Sequence, residues 1–339
     1  MTRHRGPSRP GPSDPLDRRV GGRSGLCGAA DNRQGQAVVA MTEATNSGDV
    51  PAGDPGDVAP VEPGGTPDFD VAALIAATRP SATDLALSPD GRRLVIAAAT
   101  ANPDGSRFVS ALYEVPVSGQ GRPRRLTHSE KGEASPAFAP DGSLLFTSTR
   151  ERPHADHPEA RTGLWRLPPG GEAEPVACPP GGVDAYAVAE QADVVTVLTG
   201  VHPEAGDWRA DAAIEKARDD GNVTATLLTD FPARHWDRWL APRQRRLFTA
   251  DADADPDGEA WHDLDPLAGP ALDLTTFALT PDGCTTVAAR ARDDPDVTAR
   301  PMDLLAYQRD GTTVRAHTLL AEDDTDHSAP QVSPDGRWV

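Results

Sequence analysis

From about residue 80 onward the apolar residues come in short runs, each ended by a cluster of turn-forming residues. Leu85-Ala86-Leu87 runs into Ser88-Pro89-Asp90-Gly91, and Arg93-Leu94-Val95-Ile96 follows it. Phe277-Ala278-Leu279 and Thr285-Thr286-Val287-Ala288 flank Thr280-Pro281-Asp282-Gly283 in the same way. Runs this short, bounded by Pro, Asp and Gly, predict strands joined by tight turns. Proline presets φ, aspartate accepts from the backbone, and glycine takes the positive φ that closes the hairpin.

The turn recurs as Ala139-Pro140-Asp141-Gly142 and Ser333-Pro334-Asp335-Gly336. Two degenerate copies, Ala187–Val195 and Leu240–Phe248, fit the interval between 140 and 281. The markers then fall at 89, 140, 190, 242, 281 and 334, with spacings of 51, 50, 52, 39 and 53. Clearer repeats add a third strand, Ala111–Val115 or Gly163–Leu167, and a fourth, Arg124–Thr127 or Thr226–Thr229. Four short antiparallel strands every 40 to 50 residues predict an all-β chain built as a β-propeller of four-stranded blades, with six blade starts. After the sixth marker only Arg337-Trp338-Val339 follow, so the ring is expected to be cut off at its C-terminal side.

The region ahead of the repeats differs in character. Residues 1–40 carry seven Arg and three Asp, and residues 41–68 carry six acids and no base. With 21 Gly and Pro in its 68 positions, the segment 1–68 reads as a disordered tail. The propeller domain is assigned to 69–339. It opens on a short helix over Phe69–Thr78, with Asp68 as cap, Phe69, Leu74 and Ile75 as an apolar side and Pro80 as stop.

A formal net charge of -19 over 339 residues argues against nucleic acid or an anionic membrane as partner. No apolar run is long enough for a membrane span. The three cysteines, Cys27, Cys178 and Cys284, are far apart and form no CxxC pair. They speak against a disulfide framework or a cysteine zinc site, and fit a reducing, cytoplasmic compartment.

The Ser-Pro-Asp-Gly-Arg-Arg-Leu stretch at 88–94, the Leu112-Tyr113 third strand and the Arg124-Arg125-Leu126-Thr127 fourth strand resemble the N-terminal propeller of the prolyl oligopeptidase family of serine peptidases, especially its acylaminoacyl-peptidase-like branch. They also resemble the TolB-like propeller. The lead-in, a helix followed by Arg79–Gly91, looks like the entry into the peptidase propeller. That resemblance implies a ring gating an α/β-hydrolase domain with a Ser-Asp-His triad, short peptides as substrate, and no cofactor. No Gly-x-Ser-x-Gly elbow occurs in the chain, so no catalytic residue carries over; the catalytic domain is expected to be missing and the chain inactive alone. A non-enzymatic TolB-like scaffold for binding proteins is the other reading.

Several local clusters invite chemistry. From Asp253, the turn Asp253-Ala254-Asp255-Pro256-Asp257-Gly258 matches half of a calcium loop, but Leu264 stands where the bidentate Glu belongs. A polar hairpin between second and third strands is the reading taken, and no metal residue is assigned. His154-Ala155-Asp156-His157 reads as a solvated loop, as do the acidic clusters Asp293–Asp296 and Glu322–Asp326. One of those acidic loops could instead receive a peptide's amino terminus. Trp236, Trp239 and Phe248 read as blade core. Asp207–Asp219, with Trp208, has helical spacing and reads as an insertion packed on the ring.

Overall fold

The computed structural model describes residues 71–151, 161–226, 234–235, 238–239, 242–258, 260–292, 301–323 and 325–339. The tail assigned to 1–68 therefore lies outside the described residues, as does His154–His157. After helix α1 (Val71–Ala76), strands β1 (Arg79–Leu87), β2 (Leu94–Ala101), β3 (Phe108–Val115) and β4 (Arg124–Arg125) form the first antiparallel sheet. Strands β5 (Glu133–Phe138), β6 (Leu144–Ser148), β7 (Gly163–Leu167) and β8 (Glu174–Ala177) form the second.

The third sheet is interrupted. Strands β9 (Val183–Val188) and β10 (Val194–Val201) are followed by helix α2 (Trp208–Asp220) and a small hairpin, β11 (Arg234–His235) with β12 (Arg238–Trp239). Only then do β13 (Gln244–Asp251) and β14 (His262–Asp263) complete the order β14-β13-β10-β9. The fourth sheet is β15 (Phe277–Leu279), β16 (Thr285–Ala291), β17 (Met302–Asp310) and β18 (Thr313–Leu320), in chain order.

These four-stranded antiparallel sheets are propeller blades, and the all-β expectation holds. The count of six starts does not. Leu240–Phe248 is no hairpin: Gln244–Asp251 pairs along its whole length with Val194–Val201, so it is the third strand of the blade that opens at Val183. The marker at 242 disappears, leaving turns at 89, 140, 190, 281 and 334. Helix α2 explains the misreading, because it separates two strands of one blade by about a blade's length of chain.

Alternating side chains on β6, β10 and β16 feed two different cores, one per face. Phe146 and Leu144 of β6 pack with Val95 and Leu112 of the first blade, while Leu145 packs with Val195 and Val197 of the third. In β10, Val197 faces that second core and its neighbour Leu198 faces a third, with Leu247, Leu272 and Tyr307. These three cores are therefore shared by consecutive blades, and burying a side chain such as Phe146 contributes roughly 2–3 kcal/mol.

The entry helix ends at Ala76, ahead of the expected Thr78 and before Pro80, which already pairs with Ala98 in the first sheet. Its apolar residues Val71, Leu74 and Ile75 are about half exposed, so α1 supplies no core among the described residues. Asp68 and Phe69 lie outside the described residues. Helix α2 is built as its spacing predicts: the Asp207 carboxylate accepts from the Ala210 N–H, Gly221 follows its last turn, and Trp208 is buried.

Candidate functional site: the turn face and the blade junctions

The repeated turns share one hydrogen-bond pattern. Ser88 Oγ donates to Asp90 Oδ1 at 2.6 Å and accepts from the Arg93 N–H at 2.9 Å, while the Gly91 N–H donates to the Ser88 carbonyl at 2.8 Å. Thr280 with Asp282 and Ser333 with Asp335 reproduce the pattern, each hydroxyl 2.6 Å from its carboxylate. Gly91, Gly283 and Gly336 take φ of 69°, 71° and 67°, as such a turn requires. The hydroxyl bonds hold the Asp90 and Asp335 carboxyls below the usual carboxylate range.

These turns gather on one face and are tied blade to blade. Arg93 reaches the Gly142 carbonyl, and Arg166 bridges Asp141 of its own blade at 2.7 Å and Asp193 of the next at 3.1 Å. The Gln191 N–H donates to the Pro281 carbonyl at 2.7 Å, and its side-chain amide reaches the Pro334 carbonyl at 3.4 Å. Between the last three turns lies a cleft of about 530 Å³, walled by Gln191, Asp282, Gln308, His317 and Asp335. Its amides, carboxylates and imidazole can hydrogen-bond a polar ligand.

A second set of contacts joins the first strands of the blades. The Ser135 hydroxyl donates to Asp84 at 3.4 Å, and Asp84 also accepts from Ser81 at 2.9 Å. The Tyr186 hydroxyl, from the third blade, donates to the carbonyls of Ser135 and Leu145 in the second. Burial, with the Asp84 charge nearby, pushes the Tyr186 phenol up, so it remains a donor.

Two buried ionic clusters went unseen in the sequence. Glu133, fully buried, accepts from Thr127 Oγ1 at 3.0 Å, the Ser129 N–H at 3.1 Å and Arg150 at 2.8 Å, and Arg150 lies 5.1 Å from the rings of both Phe146 and Trp165. His202 and Asp211, also buried, meet at 2.6 Å between Nδ1 and Oδ1; Arg243 reaches Asp211 and Glu215, each at 3.3 Å. Only the i, i+4 placement of Asp211 and Glu215 on α2 hinted at a shared face. The second cluster fastens the inserted helix to its blade.

The Asp-rich turn joins third and fourth strands, where second and third were expected, because α2 shifts the count. Gly258, at φ 111°, lies against Trp208: a Cβ there would approach the indole to 2.9 Å. Trp208, Trp261 and Phe248 form the aromatic core, with ring centroids 4.9 Å and 5.3 Å from Trp208. Of the aromatic cluster expected from the sequence, Phe248 is buried there, while the side chains of Trp236 and Trp239 lie outside the description. Among the described residues no three His, Cys, Asp or Glu side chains are placed to hold a metal.

Asp293–Asp296 lies outside the described residues. In the other acidic cluster Glu322, Asp323 and Asp326 are exposed; Asp326 also accepts from the Met302 N–H at 2.7 Å, and Arg292 donates to the Glu322 carbonyl at 2.6 Å. Among the described residues no helix is long and apolar enough to cross a membrane.

No family model matches the chain, and no curated protein does. Solved structures do. An acylaminoacyl peptidase from Pyrococcus horikoshii superposes on 75% of this chain with a TM-score of 0.52 at 10% identity. The fold is that of its propeller. The match takes in 34% of that peptidase, so the chain spans about a third of its length. The β-propeller domain of the trilobed protease from Pyrococcus furiosus matches 73% of the chain at 9% identity and TM-score 0.43, covering 58% of that chain. The tricorn protease matches 70% at 13% identity and TM-score 0.38, covering 23% of that chain.

Proposed function

We propose that this chain is the propeller portion of a serine peptidase of the prolyl oligopeptidase type, cytoplasmic, acting as gate and size filter. The Ser-Asp-His chemistry belongs to a separate α/β-hydrolase domain, and the ring restricts access to short peptides. The observation that carries the reading is the repeated Ser/Thr-Pro-Asp-Gly turn on four-stranded blades, in a chain whose fold matches an acylaminoacyl peptidase propeller over three quarters of its length. Blades joined by buried cores and buried ion pairs make a stiff wall, which a size filter needs.

The test uses the whole gene product. A fluorophosphonate that labels activated serines should mark it, and it should cleave short acyl-peptide substrates while leaving a folded protein of the same sequence content intact. Equal cleavage of short peptides and folded protein would remove the filter. An unlabelled product whose gene holds no Gly-x-Ser-x-Gly downstream would remove the peptidase and leave a binding scaffold.

A further inference from the structure

Asp-Gly steps occur eight times in the described chain, at Asp90, Asp104, Asp141, Asp220, Asp257, Asp282, Asp310 and Asp335. Such a step carries an intrinsic chemical hazard. The glycine nitrogen, unhindered by any Cβ on its own residue, can attack the aspartate side-chain carboxyl. A new N–Cγ bond forms and the carboxyl oxygen leaves as water, giving a five-membered succinimide. Water then adds to the main-chain carbonyl and opens the ring, so the chain continues through the side-chain carbon as isoaspartate. No oxidant or other reactant is needed.

Seven of the eight steps are guarded. The glycine N–H donates to a backbone carbonyl at 2.8 Å for Gly91 and Gly336, 2.9 Å for Gly105 and Gly283, 3.0 Å for Gly142, 3.1 Å for Gly221 and 3.2 Å for Gly258. In five of them the carboxylate also accepts the N–H two residues on: Asp90, Asp104, Asp141, Asp282 and Asp335, all within 3.1 Å. Asp220 is held by Lys216 at 2.9 Å. A nitrogen in a hydrogen bond and a carboxylate held by a neighbouring donor are both poorly placed to react. Reaction must wait for local opening.

Asp310-Gly311 differs. It forms the tip of the β17–β18 hairpin, where Asp310 pairs with Thr313 and Gly311 takes φ 60°. Both residues are exposed, and among the described residues neither the Gly311 N–H nor the Asp310 carboxylate has a hydrogen-bond or ion-pair partner. We propose that Asp310 is a spontaneous modification site, isomerising to isoaspartate in the native protein while the other seven steps stay intact. Isoaspartate adds one carbon to the main chain inside the hairpin turn, which displaces β18 from its register on β17. The product is a substrate for the class of methyltransferase that esterifies isoaspartyl carboxylates.

The chain is aged at neutral pH, digested, and its isomeric peptides separated, with enzymatic methyl transfer counting isoaspartate. Native protein should accumulate isoaspartate at 310 at least about tenfold faster than at any of the seven others. In denaturant all eight should react at comparable rates. Asp310→Glu should abolish the native signal, because a six-membered ring closes far more slowly, with the far-ultraviolet circular dichroism unchanged. Native isoaspartate spread evenly across the eight sites would overturn the proposal. So would a native rate at 310 no faster than at Asp90 or Asp282.

Discussion

Ser135 and Ala329 adopt the same backbone conformation at the same place in two repeats. Each has φ 51°, each directly precedes a proline, and each stands five residues before the proline of an Asp-Gly turn. At Ser135 the strand register breaks between Ala134 and Ala137, the mark of a bulge. The repeat that begins near Ala329 therefore starts as the second blade does. A left-handed conformation costs a residue with a side chain about 1 kcal/mol relative to glycine. Ser135→Gly and Ala329→Gly should each raise the urea midpoint at unchanged slope, and Ser135→Val should lower it.

Glu133 should be among the costliest polar residues to replace. Its carboxylate has no exposure and collects Thr127, Ser129 and Arg150, and Thr127 Oγ1 in turn accepts from the Leu112 N–H at 2.9 Å. Glu133→Ala leaves the Arg150 charge partly buried against two aromatic rings with no carboxylate, and should cost about 3 kcal/mol. A double-mutant cycle with Arg150→Met should show that most of this loss disappears once the guanidinium is also gone, since no stranded charge remains. Purely additive single losses would argue that Glu133 acts through Thr127 instead.

Legibility in the sequence followed the range of the interactions. The turns, strands and blade type could be read because Ser88-Pro89-Asp90-Gly91 and its copies fix local geometry with their own atoms. The third blade was misread because pairing of Val194–Val201 with Gln244–Asp251 is a long-range fact, and nothing in Leu240–Phe248 distinguishes a third strand from a second. Nothing local marks Glu133 as buried; its burial depends on Arg150, seventeen residues away and brought close by the second blade's pairing. His202 and Arg243 meet Asp211 only once α2 has docked.

Asp263 should give a pH dependence opposite to that of most carboxylates. Burial pushes its carboxyl up to about 6, although Arg246 lies 3.3 Å away and the Asp265 N–H donates to it at 3.0 Å. Because the folded value lies above the ordinary 3.8, the folded state holds this proton more tightly than the unfolded state does. Its contribution to stability is therefore full below about pH 4 and is lost as pH rises to about 6, a difference on the order of 3 kcal/mol. Urea unfolding of the protein and of Asp263→Asn across that window isolates the group. The stability difference between the two should change by about that amount between pH 4 and 6 and level off above; a constant difference would show that Arg246 already offsets the burial.

The inserted helix should come loose without unfolding the blades. Prominent among the contacts that hold α2 are the Asp211 carboxylate in its buried cluster and Trp208 stacked on Trp261 behind Gly258. Asp211→Asn keeps the shape but removes the charge that Arg243 and His202 face, so Arg243 is left with Glu215 alone, at 3.3 Å. Trp208→Ala removes the largest fully buried side chain among the described residues and should cost about 4 kcal/mol. Hydrogen exchange should quicken over Trp208–Asp220 in Asp211→Asn while the amides of β2 and β6, in the first two blades, keep their protection. If β10 and β13 lose protection together with α2, the helix is instead an integral part of the third blade, and its cluster stabilises the sheet as well as the insertion.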